Sequence, residues 1–252
     1  MKSNTATASL PHSSKSMDGI LLVDKPPGPT SHDVVAMIRR KFALPKVGHG
    51  GTLDPDATGL LLVLVGRGTK RSDLFISSDK IYEGTISLGV ATDSFDARGK
   101  TISEKDASGI TREQLQDEMN KYTGDILQTP PMVSAVKMNG VPLYKRARKG
   151  ETVERRPRLI HVFEFSLTGF SSPDGDFIVR CTKGTYVRAL CNDIGDSLGC
   201  GAHLKSLRRT QCGDMSIKDA IPLNELLEME KDSLSERVLP VRRFAGLPGV
   251  KV

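Results

Sequence analysis

The chain contains no tryptophan, and aromatic residues make up only 5% of its 252 positions. So sparse a supply excludes a broad base-stacking platform of the RRM kind, so any stacking must come from one or two placed rings. The four cysteines, Cys181, Cys191, Cys200 and Cys212, show no Cys-x-x-Cys spacing and no grouped histidine. That pattern argues against a zinc site and against a disulfide framework, and the thiols read as small core or surface residues of a reducing compartment. No apolar run approaches the ~18 residues that would span a bilayer. The longest, Leu60 to Val65, has the length of a strand. Residues 1–17 hold no acid, no arginine and no apolar core, so they read as a disordered extension, with Met17 as a possible internal start.

Positive charge is present and unevenly placed. The chain has 36 basic against 30 acidic side chains, a formal charge of +6. Lys137, Lys145, Arg146, Arg148, Lys149, Arg155, Arg156 and Arg158 fall in one window opposed only by Glu151 and Glu154. A solvated loop would account for such a run, and so would a polyanionic partner held through salt-dependent phosphate contacts.

Strand and helix signals alternate from Gly19 onward. Ile20–Val23 reads as a strand, and Ser31 as the cap of a helix with Val34, Val35, Ile38 and Phe42 on one face. Leu60–Val65 is a buried strand, followed by a short helix from Thr69 to Phe75. Tyr82, Ile86, Leu88 and Val90 share one face of a half-buried strand. Thr111 and Gln114 form a capping box opening a helix that stops at Gly124. Ile160–Leu167 and Phe177–Cys181 read as paired strands, and Val187, Leu190, Cys191, Ile194 and Leu198 stripe a further helix. There is no internal repeat. The mixture predicts an α+β sheet protein.

One segment carries chemistry. Gly48-His49-Gly50-Gly51-Thr52-Leu53-Asp54-Pro55-Asp56-Ala57-Thr58-Gly59 is a glycine-rich loop that presents Asp54 and runs directly into the apolar strand. Glycines allow close approach of a bulky partner, and Pro55 biases Asp54 toward an extended backbone. Locally, Asp54 is either a turn cap or a catalytic carboxylate.

The same loop resembles the catalytic motif of the TruB family of tRNA pseudouridine synthases. Leu22-Val23-Asp24-Lys25-Pro26-Pro27-Gly28, Ser78-Asp79-Lys80-Ile81-Tyr82, Lys183-Gly184-Thr185-Tyr186-Val187-Arg188, Gly199-Cys200-Gly201-Ala202-His203-Leu204 and Leu207-Arg208-Arg209 match further family motifs in order. The resemblance implies a pseudouridine synthase fold, a mixed, largely antiparallel sheet with flanking helices, over residues 18–245. The short tail 246–252 stands where many relatives begin a PUA domain. It implies isomerisation of a uridine at position 55 in the T-loop of tRNA, with no cofactor and no metal, by a monomeric cytoplasmic protein that binds no membrane. Asp54, Tyr82 and Arg188 are the catalytic candidates. Asp54 would act as nucleophile or as base toward the ribose C2′ proton, Tyr82 would cover the flipped base, and Arg188 would pair with the carboxylate. Substrate-binding candidates are His49, Tyr186, Leu207, Lys70 and Arg208, with Lys80 and Arg209 as further phosphate partners and Lys25 as a support for the loop. Gly50 departs from a common threonine, which predicts a looser loop. A catalytically idle tRNA-binding or RNA-folding protein is the alternative, against which the Asp54, Tyr82 and Arg188 trio argues. A glycoside hydrolase would call for two carboxylates, and nothing in the motif gives Asp56 that role.

Overall fold

The computed structural model describes residues 17–132, 134, 137, 138, 140–142, 151 and 153–240. The N-terminal extension up to residue 16, the tail beyond residue 240, and Lys145, Arg146, Arg148 and Lys149 of the basic window lie outside the described residues. The strands are β1 Gly19–Lys25, β2 Val47–His49, β3 Thr58–Val65, β4 Lys80–Leu88, β5 Val90–Thr92, β6 Thr101–Glu104, β7 Gly124–Gln128, β8 Lys137–Met138, β9 Val141–Pro142, β10 Arg158–Ser171, β11 Asp174–Cys181, β12 Ala202–Cys212, β13 Met215–Ser216 and β14 Ile221–Pro222. The helices are α1 Ser31–Lys41, α2 Ser72–Ser77, α3 Arg112–Asn120, α4 Val187–Ser197, α5 Leu223–Glu228 and α6 Lys231–Arg237.

One large sheet runs in the order β14-β1-β3-β12-β4-β11-β10-β7, with β2 on β3 and β13 on β12. Its pairs are antiparallel except for β1 with β14 and β3 with β12. This is the mixed, largely antiparallel α+β sheet expected from the sequence. The parallel β3–β12 contact is brief, joining Thr58 to Arg208 and Gly59 to Arg209. There the two halves of the sheet meet.

Each half has its own core. β1 and β3 are buried on both faces, which explains their unbroken apolar runs. Leu21, Val23, Leu61 and Val63 pack with α1, α5 and α6, while Ile20, Leu22, Leu60 and Leu62 pack with Phe75 and Cys212. In the other half, α3 and α4 lay Leu115, Met119, Leu190, Cys191 and Ile194 on Ile86, Phe165, Phe177 and Val179. Tyr82 and Leu207 touch cores of both halves. All four cysteines are free and buried.

The nine elements read from the sequence lie within a few residues of their expected places, and three differences are instructive. The cap of α1 is Thr30, which forms a capping box with Asp33, because Ser31 spends its hydroxyl on the Leu53 backbone. The segment after β3 begins as a 3-10 turn at Gly66–Arg71 before α2. The eleven-residue β12 was not predicted, since its Lys, Ser, Arg, Thr and Gln conceal a central strand.

Candidate active site

A pocket of about 290 Å³ opens where β3 and β12 diverge, at the lower end of the ~300–1,000 Å³ usual for small-molecule sites. Asp54, Tyr82, Tyr186, Arg188, Leu207 and Arg209 are among its lining residues. The three sequence-predicted catalytic candidates thus meet, although far apart in the chain.

Asp54 is held through its neighbours' backbone. Ser31 Oγ accepts from Leu53 N at 2.8 Å and donates to Leu53 O at 3.2 Å. Lys25, fully buried, donates through Nζ to the carbonyls of Pro26, Pro29 and Pro55 at 2.9, 2.9 and 2.8 Å. Arg209, also buried, donates to Leu60 O at 2.8 Å, Thr52 O at 3.3 Å and Gly51 O at 3.4 Å. Gly50 does not loosen the loop. Its N–H donates to Leu62 O at 2.8 Å, and a Cβ there would lie 2.7 Å from Phe75 Cβ, so the position excludes threonine as the chain is packed. At Gly59, φ is +96° and a Cβ would fall 2.3 Å from Arg209 O, which requires glycine at the seam.

Arg188 enters from the start of α4 and is 3% exposed. Its Nε lies 3.4 Å from Asp54 Oδ2, while its Nη1 lies 3.4 Å from Asp96 Oδ2 and 3.3 Å from Ser94 O. One guanidinium therefore serves two carboxylates. Half of the Asp54 side chain (48%) meets water through the open pocket, with protein on its remaining sides. Burial raises the Asp54 pKa, Arg188 and Lys25 oppose that rise, and Asp96 and Asp56 reinforce it.

Burial pushes the Tyr82 phenol up to about 12, with Arg209 beside it pulling the other way, so the hydroxyl keeps its proton across physiological pH. Tyr186 is fixed by Gln128, whose side chain accepts from Tyr186 N at 2.8 Å and donates to Tyr186 O at 3.1 Å. Leu207 supplies the apolar wall.

Of the remaining candidates, Lys80 also lines the pocket, and Arg208, Lys70 and His49 do not. Arg208 points away from this pocket and pairs with Asp24 at 2.6 Å, because alternate residues of a strand face opposite sides. Its neighbour Arg209 takes the inward place. Lys80, named as a phosphate partner, is buried and donates to Phe75 O, Ile76 O and Ser78 O at 3.2, 2.7 and 2.5 Å, leaving its charge committed to the end of α2. Lys70 is exposed on the 3-10 turn, outside the pocket lining. His49 ends β2, also outside the lining, and burial followed by Arg209 and His32 lowers its pKa, keeping the imidazole neutral near pH 7. Asp96 and Gln128 were not singled out from the sequence, where neither lies in a motif that flags them. No group of three or more metal-ligating side chains occurs among the described residues, and no helix among them is long and apolar enough to cross a membrane.

Known proteins sharpen this geometry. A model described as TruB family pseudouridylate synthase (N terminal domain) matches residues 39–187, and one described as tRNA pseudouridylate synthase B C-terminal domain matches residues 188–244. The chain is 50% identical over 231 residues to a protein named tRNA pseudouridine synthase B from Opitutus terrae, covering 92% of this chain and 96% of that one. It is 46% identical over 235 residues to the protein of the same name from Geotalea uraniireducens, covering 93% and 76%. The fold matches a crystal structure of a Cbf5-Nop10-Gar1 complex with a TM-score of 0.71 and 30% identity, over 90% of this chain and 62% of that one. It also matches a structure of an H/ACA RNP bound to a substrate RNA containing 2'-deoxyuridine, with a TM-score of 0.68 and 26% identity, over 90% and 61%. The chain thus spans about three-fifths of the length of those two solved chains.

Proposed function

The chain belongs to the TruB family of pseudouridine synthases, and from that premise we propose that it isomerises uridine to pseudouridine in tRNA, at position 55 of the T-loop. Membership makes it an isomerase; the relatives' names supply tRNA as the substrate class. Position 55 and the residue roles are the finer part of the proposal.

The reaction breaks the C1′–N1 bond, turns the base, forms the C1′–C5 bond and moves the C5 proton to N1. Nothing is oxidised or hydrolysed, so the balance calls for no external reactant. It does call for a carboxylate that is ionised yet reactive. The observation that carries the proposal is the buried Arg188 guanidinium 3.4 Å from Asp54, in a pocket that Tyr82 also lines. Burial makes the carboxylate more basic, and Arg188 keeps it available in the charged form. Asp54 would attack the nucleoside or take its C2′ proton. Tyr82, protonated throughout, would lie against the extruded base, where stacking contributes about 1–3 kcal/mol. Tyr186 and Leu207 complete the walls, while His49, Lys70 and Arg208 would meet the surrounding RNA.

The test is nearest-neighbour mapping of pseudouridine in unmodified tRNA after incubation with the protein. Wild type should convert the uridine at position 55, and Asp54→Asn should convert none while binding the RNA with unchanged affinity. Wild-type turnover by Asp54→Asn would remove the carboxylate from the chemistry, and conversion at another site would overturn the position.

A further inference from the structure

Asp56 lies two residues beyond Asp54, where the sequence offered it no task. In the structure it receives two contacts from Arg98, from Nε to Oδ2 and from Nη2 to Oδ1. Arg98 also donates its backbone N–H to Asp96 Oδ1 at 3.1 Å, and Ser94 Oγ donates to the same oxygen at 2.5 Å. The other oxygen of Asp96 faces Arg188, and Arg188 faces Asp54. The links close a circuit: Asp54, Arg188, Asp96, Arg98, Asp56, and back to Asp54 through Pro55.

The circuit joins two loops with separate anchors. Residues 51–55 hang from Arg209, Ser31 and Lys25. Residues 92–97 are fixed to β12 and to themselves, with Phe95 O accepting from Leu204 N at 2.9 Å, Ala97 N donating to Leu204 O at 3.1 Å, and Thr92 Oγ1 donating to Asp96 O at 2.8 Å. Phe95 holds a φ of +67°, strained for a side chain of that size, so this loop is held in one shape. Asp56–Arg98 is a direct side-chain link from one loop to the other. Both side chains are about half exposed, at 52% and 54%, so the pair adds little to global stability. A two-pronged carboxylate–guanidinium contact does fix direction.

We propose that Arg98 is a positioning residue: by tying the Asp96 loop to Asp56 it sets the gap between Asp54 and Arg188. This rests on the assignment of Asp54 as the reacting carboxylate. Arg98 touches no reacting atom. Lys25, Asp54 and Asp96 also face the pair electrostatically, so a substitution must separate geometry from charge.

The experiment compares Arg98→Met, Asp56→Asn, the double variant and Arg98→Lys in single-turnover pseudouridine formation on an unmodified tRNA transcript, with RNA affinity measured alongside. Each single variant should slow the step by about two- to five-fold, the range of an exposed ion pair, with Kd unchanged. The double variant should be no slower than either single, because both cut one link. Arg98→Lys should recover part of the rate, and the acidic limb of the pH–rate profile should move upward in Arg98→Met as Arg188 loosens from Asp54. Wild-type rates in the singles, or multiplied losses in the double, would overturn the proposal. So would a loss confined to Kd and its salt slope, which would make Arg98 a phosphate contact. If wild type itself fails to convert tRNA, the functional reading fails separately. The circuit is then judged by carbon-13 NMR titration of the Asp54 carboxylate, whose midpoint must rise in both Arg98→Met and Asp56→Asn for the proposal to stand, because losing the Asp56 charge alone would lower it.

Discussion

Replacing Arg209 with methionine should damage fold and reaction together, and the structure sets the size of each effect. The side chain is 1% exposed and donates to three carbonyls, at 2.8, 3.3 and 3.4 Å. The first is a full charge-assisted hydrogen bond worth about 1.5–3 kcal/mol, and the other two are long enough to count for about half that each. Removing a buried charge returns part of the sum, leaving a net loss of about 2–4 kcal/mol, measurable by urea denaturation. The two long bonds matter more for turnover. They hold the carbonyls of Gly51 and Thr52, immediately before Leu53 and Asp54. Releasing them lets the carboxylate drift, and a displacement near 1 Å costs about 100-fold in rate. Arg209→Lys keeps one donor and should recover part of the stability while its single-turnover rate stays low. If Arg209→Met unfolds within about 1 kcal/mol of wild type and reacts within about two-fold of its rate, this account of the loop is wrong.

Gly59→Ala should cost about 2–4 kcal/mol, since its φ of +96° and the 2.3 Å approach of Arg209 O leave no room for a Cβ; an unchanged denaturation midpoint would contradict the seam described above. Burial pushes the Lys25 ammonium down to about 8 from its ordinary 10.5, so between those pH values the unfolded chain binds the extra proton and stability rises with pH, by at most about 3 kcal/mol. Lys25→Met should lack that rise in urea titrations across pH 7–11, and the same slope in the variant would refute the assignment. For Asp54 the sign is opposite: its raised folded pKa means that the folded state binds more protons just above 3.8, so ionising it costs stability as pH rises. Asp54→Asn, expected to lose turnover, should therefore be at least as stable as wild type near pH 7, and a clear loss in thermal midpoint would show the carboxylate to be structural.

What the sequence made legible follows physical lines. Unbroken apolar runs located β1 and β3, and apolar periodicity located α3 and α4, because residues buried in a core must follow the geometry of their element. Motif identity singled out Asp54, Tyr82 and Arg188, and the fold brings them to one pocket. What stayed hidden is the polar scaffold. β12 forms the seam strand with Arg208 and Arg209 at its centre, and a pair of arginines carries no strand signal. Which of the two points inward depends on register, and a one-residue difference exchanges the faces, so the sequence gives both arginines the same standing as phosphate partners. Asp96 was missed for a related reason. Its task is defined by Arg188, 92 positions away, and nothing local marks it.

The position of the pocket explains why so much of its support is charged. A parallel contact of two residue pairs cannot itself hold two half-sheets at a fixed spacing. Apolar side chains would close the gap and leave no room for a nucleoside. Long cations anchored on carbonyls keep it open: Lys25 and Arg209 from the β1–β3 side and the seam, Arg188 from α4. Each is desolvated, and each is compensated by several acceptors, as a buried charge must be. Two of these cations, Arg188 and Lys25, also act on Asp54, so members that brace the cleft help set the field in which its carboxylate ionises. On this reasoning architecture and reactivity are coupled at this seam. A substitution that relaxes the brace must shift the pH dependence of the reaction along with its rate, whereas one that merely thins either hydrophobic core should lower stability and leave that profile in place.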